Sequence, residues 1–124
     1  MLNYTKADWT KRAANLTFRH QAFIDGKFVD AASGETFQSI NPATDAILTN
    51  VAACDLEDVN RAVASGRTAF EAGVWSRTDP AHRKAVLLKL ADLIRANLEE
   101  FALLDSLDMG KLVTDAATID APGS

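Results

Sequence analysis

One cysteine, two histidines and three prolines in 124 residues leave little room for several kinds of chemistry. A lone thiol, Cys54, can make neither an internal disulfide nor a cysteine-cluster metal site, which agrees with a reducing compartment. His20 and His82 are isolated from each other and lack a third ligand motif, so both are expected as surface or capping groups. The glycines Gly26, Gly34, Gly66, Gly73, Gly110 and Gly123 include no pair at the spacing of a phosphate-binding G-x-G turn or a Walker loop. No nucleotide site is expected within these residues. No apolar run approaches the ~18 residues that span a bilayer, and the N-terminus lacks the apolar core of a signal peptide. A cytoplasmic protein without a membrane partner is the expectation. A net charge of −4 and a pI near 5.0 supply no basic field for nucleic acid. The local excess of Lys6, Lys11, Arg12 and Arg19 over Asp8 reads as a solvated helix face.

What is present is an ordinary globular composition, 48% apolar and 24% charged, in a chain the size of one domain. Its organising stretch runs from Asp79 to Lys111. There Leu87, Leu90, Ala91, Ile94, Leu98, Phe101 and Ala102 recur at steps of three and four, the period of a helix with one face toward a core. Arg83, Lys84, Asp92, Arg95 and Glu99 fall on the other side. Asp79 before Pro80 makes a good start, because the carboxylate accepts from free first-turn amides and proline gives up an amide without a partner. Asn97 with Glu100 has the form of a second capping box, which predicts two helices meeting at a bend. Gly110 ends the second, and Lys111 places a cation at the negative end of its dipole.

Ahead of this stretch, residues 1–21 carry Trp9, Ala13 and Leu16 at helical spacing and read as an amphipathic helix. In AFIDGKFV, Phe23-Ile24 and Phe28-Val29 flank Asp25-Gly26, the dipeptide favoured in two-residue hairpins because both positions need positive φ. A second hairpin is predicted from Thr36–Ile40 and residues 47–51, joined through Asn41-Pro42. Asp55 then opens a helix with Asp58 at its third position and a buried stripe of Val59, Ala62, Val63, Gly66 and Phe70. Gly66 on that stripe implies a close backbone approach. Gly73 ends it, and Trp75 lies in the connection. After Lys111 only a weak apolar pattern continues, and Pro122-Gly123 would normally begin a turn. Hairpins first and helices afterwards give an α+β piece, without the alternation of strand and helix that a parallel nucleotide-binding sheet needs.

Few residues suggest catalysis. Cys54 precedes a helix start, where a dipole lowers a thiol pKa, yet no histidine or oxyanion turn adjoins it in sequence; a small buried or half-buried side chain is the better reading. Glu99 and Glu100 point apart on a helix, so they read as a solvated face rather than as an acid and base pair.

The phrases FIDGKFVDAASGETF, INPATDAIL, DVNRAVASGRTAFEAGVWS and RKAVLLKLADLIRANLEEFALLDSLDMGK, in this order, resemble the N-terminal quarter of the NAD(P)-dependent aldehyde dehydrogenase superfamily. The likeness covers residues 22–122. Within the family, the Leu-Asp-Met-Gly-Lys form and the helix with Trp9 are most similar to bacterial enzymes acting on γ-glutamyl-γ-aminobutyraldehyde. Two positions depart from the common pattern: Asp105 where glutamate is usual, and Leu112 where proline often follows Gly-Lys. The resemblance implies an α/β fold of which this α+β piece is one part. Residues 1–21 would be an N-terminal helix, and residues 22–124 the beginning of the NAD-binding domain, ending before its nucleotide-binding sheet.

The resemblance further implies oxidation of an aldehyde to a carboxylic acid with NAD or NADP in a homo-oligomeric enzyme. The nucleophilic cysteine, general base and cofactor site of that chemistry would all lie beyond Ser124, and Cys54 does not match the nucleophile. It also implies a monovalent cation held by the carbonyls ahead of the Asn-Pro turn and the aspartate of Asp-x-Gly-Lys, here Ser39, Ile40 and Asp108. Hard cations take such oxygen ligands. The competing reading is an independent small α+β binding or interaction module.

Overall fold

The computed structural model describes residues 4–124. The chain divides into two compact units. One contains the residues up to Phe18, Ile40–Leu48 and Leu87–Ser124; the other contains Arg19–Ser39 and Thr49–Val86.

In the second unit, β1 (Ala22–Ile24) and β2 (Lys27–Val29) form the expected hairpin, with register Ala22 to Val29, Phe23 to Phe28 and Ile24 to Lys27. Asp25 and Gly26 take φ of 53° and 73°, as a type I′ turn requires. Phe23 and Phe28 pack with ring centroids 5.1 Å apart, and the Arg19 guanidinium lies 4.6 Å over Phe28. Strands β3 (Thr36–Ile40) and β4 (Ile47–Ala52) pair as a second two-stranded sheet. The amide of Ala52 donates to His20 O, ahead of β1, at 2.8 Å, and that of Ala53 to Glu35 O at 2.9 Å extends the pairing of the second hairpin.

Helix α2 (Leu56–Ala72) begins with a true capping box: Asp55 accepts from the amide of Glu57, and Asp58 reaches back to the amide of Asp55. Asp58 does more than cap. It is 1% exposed, and both its oxygens accept from the amide of Ala32 at 3.1 Å, so one carboxylate joins the helix to the loop after β2. Arg61 neutralises it at 3.4 Å. Gly73 closes α2 at φ 70°. The buried stripe expected on α2 is instead exposed at Val59, Val63 and Phe70, and no atom beyond the helix backbone comes within 4 Å of a Cβ built on Gly66. The expected close approach at Gly66 is therefore absent from the described residues.

In the first unit, α1 (Lys6–Ala13) is shorter than the 1–21 expected. Thr5 and Asp8 form its capping box, and the chain tightens at the other end as Asn15 and Leu16 donate to the carbonyls of Arg12 and Ala13. Asn15 also turns its side-chain amide back to Lys11 O, a local bond that competes with helix continuation. Residues 1–3 of the expected helix lie outside the described residues.

Helix α3 (Pro80–Ala96) starts as expected, the amide of Ala81 donating to Asp79. Helix α4 (Leu98–Met109) follows after the single residue Asn97. The bend is where it was expected, but the capping box is not: Asn97 makes no cap bond to α4 and donates its side-chain amide to Leu93 O at 2.8 Å, closing α3 instead. Gly110 ends α4 at φ 75°.

The stretch that looked weakest in sequence is helical. Helix α5 (Val113–Asp115), a π-helical turn (Ala116–Asp120) and α6 (Ala121–Gly123) follow without a break. Ala116, Ala117 and Ala121 are buried, as are Ala102 and Leu103 of α4, and Ala102, Ala116 and Ala117 form one cluster with Val113 against it. Small side chains let the two helices approach closely, and a wide turn spends an extra residue to bring both Ala116 and Ala117 inward. No described helix is long and apolar enough to cross a membrane.

Candidate functional site

Two of the residues singled out from the sequence, Ile40 and Asp108, share a unit with the turn after β3. Asn41 is 9% exposed and builds the turn: its Oδ1 accepts from the amide of Ala43 at 2.9 Å, and its carbonyl accepts from Thr44 and Asp45. Its own amide donates to Ala46 O, and Asp45 takes φ 56°. Pro42 then meets the end of α4, since a Cβ built on Gly110 would lie 3.0 Å from the Pro42 ring. The turn that follows Ile40 therefore abuts the helix end that carries Asp108. Ile40 and Asp108 are both exposed and belong to the same unit; Ser39 is half-buried, beside Ile40 in β3, and belongs to the other. Among the described residues no group of three histidine, cysteine or acidic side chains is placed to hold a metal.

Just beyond the end of α4, Lys111 also finds a partner farther along the chain. Its ammonium lies 2.5 Å from Asp120 Oδ2, at the last residue of the π-turn. That oxygen is buried, and the ammonium is its counter-charge. The Asp120 carboxylate holds the Lys111 pKa above the usual 10.5. The pair ties the loop after α4 to the helix packed upon it.

A cleft of about 590 Å³ opens beside the α3–α4 bend, lined by Arg12, Asn15, Leu16, Arg95, Asn97 and Leu103 among others. On its rim Glu99 accepts from the Tyr4 hydroxyl at 2.8 Å and pairs with Arg12 at 2.6 Å. The Arg12 guanidinium lies 4.1 Å over the Tyr4 ring, whose edge meets Trp9. The hydrogen bond to Glu99 raises the Tyr4 pKa above 10.0. Sequence reading left Glu99 on a solvated face, because its partners are about ninety residues away in the chain. The Thr5-x-x-Asp8 box was a local signal that could have placed the start of α1. Cys54 is exposed rather than buried or half-buried, and His20 and His82 are exposed as expected.

The relatives of this chain, with its turns, caps and cleft, are enzymes. Residues 28–124 match the model of the aldehyde dehydrogenase family, and the chain belongs to that family. It is 49% identical over 118 residues to the aminoacetaldehyde dehydrogenase of Pseudomonas aeruginosa, covering 95% of this chain and 24% of that protein. It superposes with a TM-score of 0.96 on a P. syringae indole-3-acetaldehyde dehydrogenase mutant in complex with NAD+ and IAA, at 50% identity over 98% of this chain and 24% of the other. The γ-glutamyl-γ-aminobutyraldehyde dehydrogenase of Burkholderia cenocepacia gives the same TM-score of 0.96, at 48% identity over 97% of this chain and 24% of the other. The chain thus spans about a quarter of the length of these relatives.

Proposed function

We propose that this chain is the N-terminal scaffold of an oxidoreductase that converts an aldehyde, γ-glutamyl-γ-aminobutyraldehyde or another aminoaldehyde, to a carboxylic acid with NAD or NADP. The observation that carries the proposal is the superposition of 98% of the chain, at 50% identity, on an aldehyde dehydrogenase in complex with NAD+. The aminoaldehyde class rests on the P. aeruginosa and B. cenocepacia relatives. In this reading residues 22–124 begin the NAD-binding domain of a cytoplasmic homo-oligomer. The cofactor has no glycine-rich phosphate turn to rest on within these residues, so no step of hydride transfer is assigned to them. Their part is to present helices and hairpins to the catalytic remainder. A monovalent cation held through the Ser39 and Ile40 carbonyls and Asp108 belongs to the same proposal. Its support is the abutment of Pro42 on Gly110, which keeps the turn at the carboxylate-bearing helix end.

A chimera tests the scaffold role. With this chain in place of the matching quarter of the P. aeruginosa aminoacetaldehyde dehydrogenase, NAD+ reduction by aminoaldehydes is expected to persist. A soluble, assembled chimera without aldehyde oxidation would overturn the proposal.

A further inference from the structure

Helix α1 is attached differently from α4, which carries the buried Ala102 and Leu103. Helix α1 itself has no buried residue; Trp9 and Ala13 are only half-buried, and Leu16 lies beyond its end. Helix α4 and the π-helical turn, by contrast, meet across the buried alanines Ala102, Ala116 and Ala117. What holds α1 is polar: the carboxylate of Glu99, on the first turn of α4, takes Tyr4 on Oε1 and Arg12 on Oε2. Tyr4 precedes α1 and Arg12 stands near its end, so the two contacts grip the helix from both sides. The stacking of Arg12 on Tyr4 closes the ring of contacts.

We propose that α1 is a releasable strap, latched across the α3–α4 bend by the single carboxylate of Glu99 and forming one wall of the cleft there. Arg12 of α1, with Asn15 and Leu16 just beyond its end, lines that cleft together with Leu98 and Leu103. The latch is solvent-facing, with side chains 42% and 34% exposed at Arg12 and Glu99, so salt screens it. Apolar packing between α4 and the π-helical turn is not screened. Opening is therefore a local event, separable from unfolding of the unit.

Hydrogen exchange on the full-length polypeptide tests the strap. Glu99→Ala is expected to speed exchange of the amides of residues 8–16 about ten-fold to a hundred-fold, the range for losing charge-assisted bonds. The amides of Ala102 and Ala116 are expected to be unaffected. Glu99→Gln keeps an acceptor for Tyr4 but no charge for Arg12, and its effect should fall between. Arg12→Ala, made on the strap itself, is expected to release it as Glu99→Ala does, and raised salt to narrow the gap between wild type and either variant. Unchanged exchange in residues 8–16 of Glu99→Ala would overturn the proposal. So would equal acceleration at Ala102 and Ala116 in both Glu99→Ala and Arg12→Ala, since α1 would then open only with its whole unit.

Discussion

Asp58 and Asp108 are both aspartates on helices, yet burial gives them different work. Asp58 is enclosed, and its oxygens serve the amides of Ala32 and Asp55. Asp58→Ala leaves the amides of Ala32 and Asp55 without partners and Arg61 without its counter-charge, so a loss of about 2–6 kcal/mol is expected, at ~1–3 kcal/mol per abandoned amide. Urea unfolding should register it, with the Ala32 amide exchanging faster; a stable variant would mean that water replaces the carboxylate freely. Asp108 is exposed near the end of α4, where the helix dipole opposes a negative charge. If a cation offsets that cost, Asp108→Asn in the full-length enzyme weakens the rise of thermal stability with potassium or sodium, relative to choline chloride at equal ionic strength. An unchanged cation response in the variant would sink the cation reading.

Among the elements, the α3–α4 bend separates two accounts of one residue. In a capping box Asn97 and Glu100 would support the start of α4; in the structure Asn97 supports the end of α3 through Leu93 O. Asn97→Ala is expected to cost about 0.5–1.5 kcal/mol, the net worth of one hydrogen bond, whereas Glu100→Gln should change stability by less than ~0.5 kcal/mol. Thermal melts of both variants decide between the accounts, and a larger cost at Glu100 would restore the capping box. Asn97 was misread because its motif has the same spacing in either role. Its backbone, at φ −112° and ψ 21°, is not the extended conformation from which a cap reaches forward.

At the scale of the whole chain, the surface carries more large apolar side chains than a solitary domain hides. Phe23, Leu56, Val63, Phe70, Leu87 and Leu112 are each more than half exposed, and a groove of about 270 Å³ lined by Leu90, Leu93, Ile94, Phe101 and Leu104 lies open at the α3–α4 bend. Exposed apolar patches of this kind mark surfaces that meet other protein. Residues 1–124 expressed alone are accordingly expected to self-associate or to unfold without a sharp transition, as size-exclusion chromatography and urea titration would reveal. A monomer with a cooperative transition would favour the independent module instead.

Local rules were enough for much of this molecule. The Asp25-Gly26 turn, the Asp55 and Asp79 helix starts, the bend at Asn97 and the stops at Gly73 and Gly110 depend on neighbours in sequence, and each lies where the residues put it. The four phrases were likewise enough for the family, because their order and spacing survive without knowledge of contacts. Contacts between distant segments were beyond such rules. Nothing near Asp58 names Ala32 as its partner, nothing near Glu99 names Tyr4 and Arg12, and the alanines at 116, 117 and 121 have too little side chain to register as a stripe. Periodicity identifies the apolar face of a helix but not what covers it. The tertiary structure therefore decided that Val59, Val63 and Phe70 are exposed here while Ala102 and Ala116 are enclosed, since burial belongs to a pair of surfaces and a single helix specifies only one of them.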